Sequence, residues 1–448
     1  MVRSNEEIDT RQTRTKLLTT VLQRASTAKW FAAIEMAVVL LAFFVFSKAD
    51  VGIVDLVGMS WLERRWTLLG AYALVLVFPV IRGTLADIVR LVASDTLLLG
   101  ISGLAALSTL WSPLPTATFG AVVSLALTIA VAAYLAARFD ARTLAALLFA
   151  AMVMAAALSV LTAFIQPELG LHDSPPHLGT LRGLYVHKNT LGQAAAIGAI
   201  SGVFLVLDGL AHRRWGTVPA IFGLALVIAV LWMADSRTSQ MSVVVSLVVM
   251  SGFNLLRRAP DRLADGAGVV LGTTTLSMTG LLVTGLIAPI PSLLGRSRTI
   301  FARLEIWSAV FDVLDKQYWL GLGFESFWVE GSPTRQTVEA TVGWAVSYAH
   351  NGYIETVLGI GLIGLFLFSA HLIKTCVASA RLAQRTQGLA TLVPIMILAL
   401  VVMVNLSESI LLAPGLLLFV TYLVCSFWTD PKHGRYGQPR AALPLAGN

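Results

Sequence analysis

Twelve apolar runs, separated by short polar or basic segments, occupy most of this chain and leave it little choice of solvent. They fall at roughly 30–46, 67–81, 91–111, 117–137, 143–165, 190–210, 217–234, 241–256, 268–288, 353–373, 389–405 and 410–428. A bilayer needs about 20 apolar residues per spanning helix. Because backbone polar groups must be satisfied internally in lipid, such runs are expected to be helical. The expectation is an all-α, polytopic membrane protein with about 12 transmembrane helices. Of the 448 residues 56% are hydrophobic and 13% charged, against about 25% charged in soluble domains, which excludes a water-soluble multidomain chain. The net charge of +7 sits in clusters between apolar runs rather than in one stripe, so no nucleic-acid partner is expected.

The clusters carry topology. Arg3, Arg11, Arg14, Lys16, Arg24 and Lys29 precede the first run, and further Lys and Arg residues recur in every second connection. The positive-inside rule then places both termini in the cytoplasm. Residues 1–29 read as a basic cytoplasmic segment leading into a retained signal anchor, 30–428 as the membrane domain with a long outer connection at 289–352, and 429–448 as a cytoplasmic tail. In that connection Leu304, Trp307, Phe311 and Leu314 recur at helical spacing. An amphipathic helix on the membrane surface is expected there, broken by Gly321 and Gly323, with Pro333 in a further polar loop. Cys376 and Cys425 lie near expected cytoplasmic helix ends, so no disulfide or thiolate metal site is expected.

Unusual polar chemistry gathers on the outer side. Thr180-Leu-Arg-Gly-Leu-Tyr-Val-His-Lys-Asn-Thr190 sets Arg182, His187, Lys188 and Asn189 at the mouth of the sixth run, with Asn189 or Thr190 as its cap. Cationic and amide donors at a helix N-terminus suit anionic oxygens, phosphate above all. Lipid-headgroup contact is the plain alternative. Ala234-Asp-Ser-Arg-Thr-Ser-Gln240 centres on Ser236 and Arg237. Arg237 can grip phosphate at two points, and the alternative is an ion pair with Asp235. Ser347-Tyr-Ala-His-Asn-Gly-Tyr-Ile-Glu355 presents His350 as a general base, or as a structural histidine at a helix start. Arg303 faces the same compartment, with snorkelling as its alternative. His172, Asp173 and His177 lack ligand-like spacing, and no metal is expected. Glu35 and His371, inside apolar runs, are functional suspects or interhelical polar contacts. No Walker loop or dinucleotide fingerprint occurs, and no cofactor is expected.

These pieces, in this order, resemble the O-antigen ligase and polymerase (Wzy-C) superfamily, and within it the ExoQ-like exopolysaccharide polymerases. The resemblance rests on Trp111-Ser-Pro113, Arg182-Gly183 with His187-Lys-Asn189, Ser236-Arg237, Arg303 with Trp307, Gly321-Leu-Gly323, His350-Asn-Gly-Tyr353 with Glu355, and Gly359-Ile-Gly361 with Gly364. It implies a lipid-linked, GT-C-like glycosyltransferase of the bacterial inner membrane, working at the periplasmic face without a metal. The donor it implies is an undecaprenyl-pyrophosphate-linked oligosaccharide, and the acceptor a saccharide hydroxyl. Arg182 and Arg237 match the pyrophosphate-binding arginines of that family and His350 its acceptor-activating histidine, with His187, Lys188, Asn189, Ser236, Arg303 and Asn351 as further substrate contacts. Arg296, Arg298 and Arg335 do not transfer. A polymerase is favoured; a ligase acting on lipid A core or protein is the alternative, and a non-enzymatic flippase or transporter the second. Membrane lipids, a flippase and a chain-length regulator complete the partners of this reading.

Overall fold

The computed structural model describes residues 29–56, 61–175, 177–256, 266, 297–386 and 388–429. They are helical throughout, the one extended pairing being an isolated bridge between Leu171 and Leu181. The helices are α1 (Lys29–Phe46), α2 (Asp50–Leu56), α3 (Trp61–Ile81), α4 (Leu85–Ser94), α5 (Thr96–Leu107), α6 (Pro115–Arg138), α7 (Ala141–Ile165), α8 (Pro167–Gly170), α9 (Lys188–Ala211), α10 (Thr217–Met233) and α11 (Arg237–Leu256). Within the long connection lie α12 (Ser297–Leu314) and α13 (Pro333–Val342), and after it come α14 (Gly352–Arg385), α15 (Val393–Asn405) and α16 (Leu417–Thr429). The expected run at 268–288 lies outside the described residues, as do Arg296 and the termini up to 28 and from 430.

Five of these helices are long and apolar enough to cross a membrane, or six if a bent pair counts as one span. Four shorter apolar helices accompany them, among them Thr217–Met233 and Leu417–Thr429. At 1.5 Å per residue such helices reach roughly 20–26 Å, short of the ~30 Å hydrocarbon core. The described residues therefore supply five or six full spans against the twelve expected.

Two departures have clear causes. The expected run 91–111 is not continuous, because Asp95 leaves helical geometry and its carboxylate caps α5 through Leu98 N–H. Asp95 also accepts from Lys374 Nζ at 2.9 Å and lies 3.1 Å from His371 Nε2, whose Nδ1 meets the Tyr422 hydroxyl. The expected run 410–428 becomes helical only at Leu417. Buried Asn405 ends α15 by accepting from Ile410 and Leu411 N–H through its side-chain oxygen. That capture folds residues 406–416 into turns and holds Ser407-Glu-Ser409 beside α14.

Interhelical polar contacts also absorb Glu35, which is fully buried between Arg82, Arg138 and the Tyr134 hydroxyl. This clasp ties α1 to α6 and to Arg82, the residue after α3. At the core, α9 packs against α7, α10 and α11 with an Ala- and Gly-rich face, as expected where lipid offers no hydrophobic driving force and close backbone approach must hold helices together.

In the long connection the helix expected around Leu304–Leu314 is present, but its apolar face packs against protein rather than lying on a membrane surface. Helix α12 buries Ile306, Trp307, Val310 and Leu314 against Val338, Val346, Ile354 and Leu358. It ends at Leu314, before the glycines, which serve a different purpose. Helix α14 unwinds at Ile360–Gly361, and the Tyr318–Gly323 segment fills the break: Leu322 and Gly323 N–H donate to Leu358 and Gly359 carbonyls, while Leu362 N–H donates to Tyr318. Gly321 and Gly361, both at positive φ, let the two backbones touch; a Cβ on Gly321 would lie 2.7 Å from Gly361 N. Pro333 is not in a loop but occupies the first turn of α13, where its missing N–H costs nothing.

Candidate active site

At the entrance to α9, residues 166–187 fold into a compact loop. Arg182 donates from Nη2 to the Glu168 carbonyl at 3.0 Å, while its Nε is buried without a partner. The cap of α9 is His187 rather than Asn189 or Thr190: its Nδ1 accepts from Asn189 N–H. An imidazole whose lone pair reaches the second N–H of the helix does the work a shorter oxygen side chain usually does. His172 Nε2 accepts likewise from Lys188 N–H at 3.2 Å. The rings of His172, His177 and His187 stand 5.2–5.6 Å apart, yet among the described residues no three His, Cys, Asp or Glu side chains are arranged to hold a metal. Burial, then His172, His177 and Lys188, pushes His187 down to about 4.

Lys188 is buried and donates from Nζ to the Asp235 carbonyl at 2.9 Å, 3.6 Å from its carboxylate. The same carboxylate meets Arg237 Nε at 3.2 Å. The ion pair weighed as the alternative for Arg237 is therefore present, with the arginine side chain 55% exposed at the first position of α11. Ser236 lies inside the α9–α11 crossing, its Oγ donating to Ser239 and its Cβ against Gly192.

The second half of the site comes from α12, the His350 turn and the α15–α16 turn. Trp307 Nε1 donates to the Ala349 carbonyl at 2.7 Å, anchoring α12 to the residue before His350. One turn earlier, Arg303 points inward, its side chain 20% exposed and 3.9 Å from Glu408, so it does not snorkel to headgroups. Glu408 Oε1 accepts from Asn189 Nδ2 at 2.7 Å, and Thr238 and Ser407 hydroxyls meet at 2.6 Å. These bonds join the two halves. Burial raises Glu408 to about 7 despite Arg303 and Asn189.

His350 sits at φ 55, a left-handed conformation rare outside glycine and often found where function imposes strain. Its ring lies tilted against Tyr348 with centroids 4.2 Å apart, and its Nδ1 is buried without a partner. Burial, then Arg303, then His187, pushes its pKa down to about 3. Asn351 is fully buried as the cap of α14, its Oδ1 accepting from Tyr353 and Ile354 N–H. Glu355 fixes the turn by accepting from Ala349 N–H, Ser409 Oγ and Trp328 Nε1. Arg335 pairs with Glu339 along α13.

Arg303 and Asn189 therefore converge on Glu408, His350 lies within electrostatic reach of Arg303 and His187, and Lys188, Asp235 and Arg237 form a linked group at the start of α9 and α11; Ser236 is spent on packing, and Asn351 caps α14 through Oδ1 while its Nδ2 is buried without a partner. Sequence reasoning passed over Glu408. Its signal was available: it is the only charged residue between Arg385 and Asp430, and a lone carboxylate in an apolar tract rarely lacks a partner.

The depressed histidines have a consequence for stability. In the unfolded chain His350 and His187 take up protons as pH falls below about 6.5, but in the folded protein they remain neutral down to about 3 and 4. Stability is thus fully present above 6.5 and is lost as pH drops toward 4. The melting temperature of the detergent-solubilised protein should fall over that window. His187→Asn, which retains a capping side chain, should flatten the fall; an unchanged slope in both His187→Asn and His350→Gln would refute the assignment.

Residues 222–369 match the family model described as O-antigen ligase, Wzy_C. The matched residues take in Arg237, Arg303 and His350, while Arg182, the α9 entrance and Glu408 lie outside them. The chain is also similar to the exopolysaccharide production protein ExoQ of Rhizobium meliloti (strain 1021), 26% identical over 233 residues, which is 50% of this chain and 52% of that protein. The match spans about half the length of that curated relative.

Proposed function

We propose that this membrane protein is a polysaccharide polymerase of the lipid-linked, GT-C-like class, working at the periplasmic face of the bacterial inner membrane. It transfers a saccharide from undecaprenyl pyrophosphate to a hydroxyl of an acceptor sugar. The observation that carries the reading is Arg303, only loosely paired with Glu408 beside the α9 entrance and within electrostatic reach of His350. A guanidinium 3.9 Å from its carboxylate is available to a better anion, and the pyrophosphate is that anion. Arg182 offers its buried, unpartnered Nε, and Arg237 can exchange Asp235 for phosphate oxygens.

The acceptor hydroxyl oxygen attacks the anomeric carbon, the bond to pyrophosphate breaks with its electron pair leaving on the phosphate, and the hydroxyl proton passes to His350. Since Nδ1 is sealed, Nε2 is the nitrogen left for the incoming hydroxyl. Fixed guanidinium donors stabilise the charge that grows on the leaving group more than they stabilise the ground state.

Reconstitution with synthetic lipid-linked repeat units tests this: a ladder of lengthening lipid-linked chains is expected, and no transfer would reject the reading. A chelator should leave the rate unchanged. Arg237→Lys keeps charge but loses the planar two-point grip and should lower turnover roughly 10-fold; wild-type turnover would remove Arg237 from the donor site. The match to the O-antigen ligase family supports a second reading, single transfer to a separate acceptor such as lipid A core or a protein, which the same assay separates by its product.

A further inference from the structure

The backbone on both sides of His350 is held by side chains. Before it, the Ala349 carbonyl accepts from Trp307 Nε1 at 2.7 Å and the Ala349 N–H donates to Glu355 Oε1 at 2.5 Å. After it, the Asn351 N–H donates to Ser409 Oγ at 3.2 Å, and Ser409 Oγ donates in turn to the same Glu355 Oε1 at 3.1 Å. Ser409 thus closes a ring of hydrogen bonds around a residue whose φ of 55 is left-handed. A non-glycine residue persists in that conformation only where its surroundings over-determine it. Because a hydroxyl has one proton and two lone pairs, donation to Glu355 leaves Ser409 free to accept from Asn351. Its neighbours on the turn folded by Asn405 reach the other half of the site. Ser407 meets the Thr238 hydroxyl at 2.6 Å, beside Arg237, while Glu408 accepts from Asn189 and lies 3.9 Å from Arg303. All three residues lie outside the 222–369 stretch that matches the O-antigen ligase family.

We infer that Ser409 is a positioning residue for the transfer, holding His350 in its left-handed conformation and in register with the donor-binding arginines. The inference rests on the transferase reading above. Without the hydroxyl, the Asn351 N–H loses its acceptor and the Glu355 carboxylate loses one of its three donors. His350 then relaxes toward negative φ, and its ring turns away with the backbone. A general base has to stay within hydrogen-bond reach of the proton it takes, and a misplacement of about 1 Å can lower the rate about 10²-fold. The grip on the donor belongs to the arginines, with which Ser409 shares no hydrogen bond, so the loss falls on turnover and spares donor binding. One turn of the chain thereby sets both the carboxylate that Arg303 exchanges for the donor and the orientation of the base.

The test compares Ser409→Val with Ser409→Thr in the full-length protein, two side chains of the same shape of which only the second keeps a hydroxyl; Ser409→Ala replaces Ser409→Val if that variant does not accumulate. With a synthetic lipid-linked repeat unit, Ser409→Val should lower kcat about 10- to 100-fold and leave the donor KM within about 2-fold, while Ser409→Thr should recover most of the turnover. Carbethoxylation by diethyl pyrocarbonate, read at each histidine by mass spectrometry, reports the ring without any turnover. His350 should react at least about 3-fold faster in Ser409→Val than in Ser409→Thr, with no change at exposed His212 or at fully buried His371. Equal kcat and equal His350 labelling in the two variants overturns the assignment, as does a change confined to the donor KM. Faster labelling of His371 alongside His350 also overturns it, because general loosening then explains the loss. A wild-type protein that transfers nothing, yet whose His350 labelling still separates valine from threonine, keeps Ser409 as the residue that orients His350 and rejects the transferase reading.

Discussion

Replacing Arg303 with glutamine should lower kcat/KM for the lipid-linked donor by at least about 100-fold, the loss typical of removing one donor aimed at developing negative charge. Arg303 lies inside the protein, 3.9 Å from Glu408, and burial already disfavours its charge. An incoming pyrophosphate supplies more charge and better geometry than that carboxylate, so the gain on binding and on leaving-group departure is concentrated at this guanidinium. Arg303→Lys, with the charge but not the fork, should lose roughly 10-fold. Glu408→Gln removes the competing anion, and the donor KM should fall rather than rise. Kinetics on detergent-purified variants of matched melting temperature measure all three; Arg303→Gln retaining more than a tenth of wild-type kcat/KM would end the assignment.

His350→Ala should reduce kcat by about 10²–10⁴, the usual contribution of a positioned general base, with little change in donor KM. The pH profile is the sharper measurement. A base must be neutral, so activity is lost as pH falls through its pKa. In the free protein His350 is pushed down to about 3, so kcat/KM should show no histidine limb between pH 5 and 8. What changes near pH 7 belongs to Glu408, raised to about 7, and should vanish in Glu408→Gln. Bound pyrophosphate neutralises the Arg303 field that helps depress His350, so the acid limb in kcat should appear at higher pH than in kcat/KM. A limb near 6.5 in kcat/KM that survives Glu408→Gln and disappears with His350 would show that the histidine is not held in this field.

The apolar runs and the helical spacing of Leu304, Trp307 and Leu314 were legible because burial in lipid, or against a membrane-facing bundle, imposes long-range composition and periodicity. The nitrogen-rich segments near residues 182 and 237 were legible because cations beyond the expected inner side have to be held by something. Their neighbours were not. That Lys188 joins the Arg237–Asp235 pair and that Ser236 is spent on a helix crossing follow from how α9 and α11 pack, to which residue order is blind, while the choice of His187 over Asn189 as the cap of α9 turns on local backbone geometry.

Chain order alone established a helical membrane protein whose polar residues gather in three segments, since hydrophobicity and charge act on every residue wherever it lies. The pairing of Asn189 with Glu408, 219 residues apart, and the approach of Arg303 to both that carboxylate and His350 depend on how α9, α12, α14 and the turn after α15 pack. Only packing brings distant side chains within the few ångströms over which hydrogen bonds and desolvated charges act, and that distance sets which groups stay neutral, which stay ionised and which are left open to a substrate.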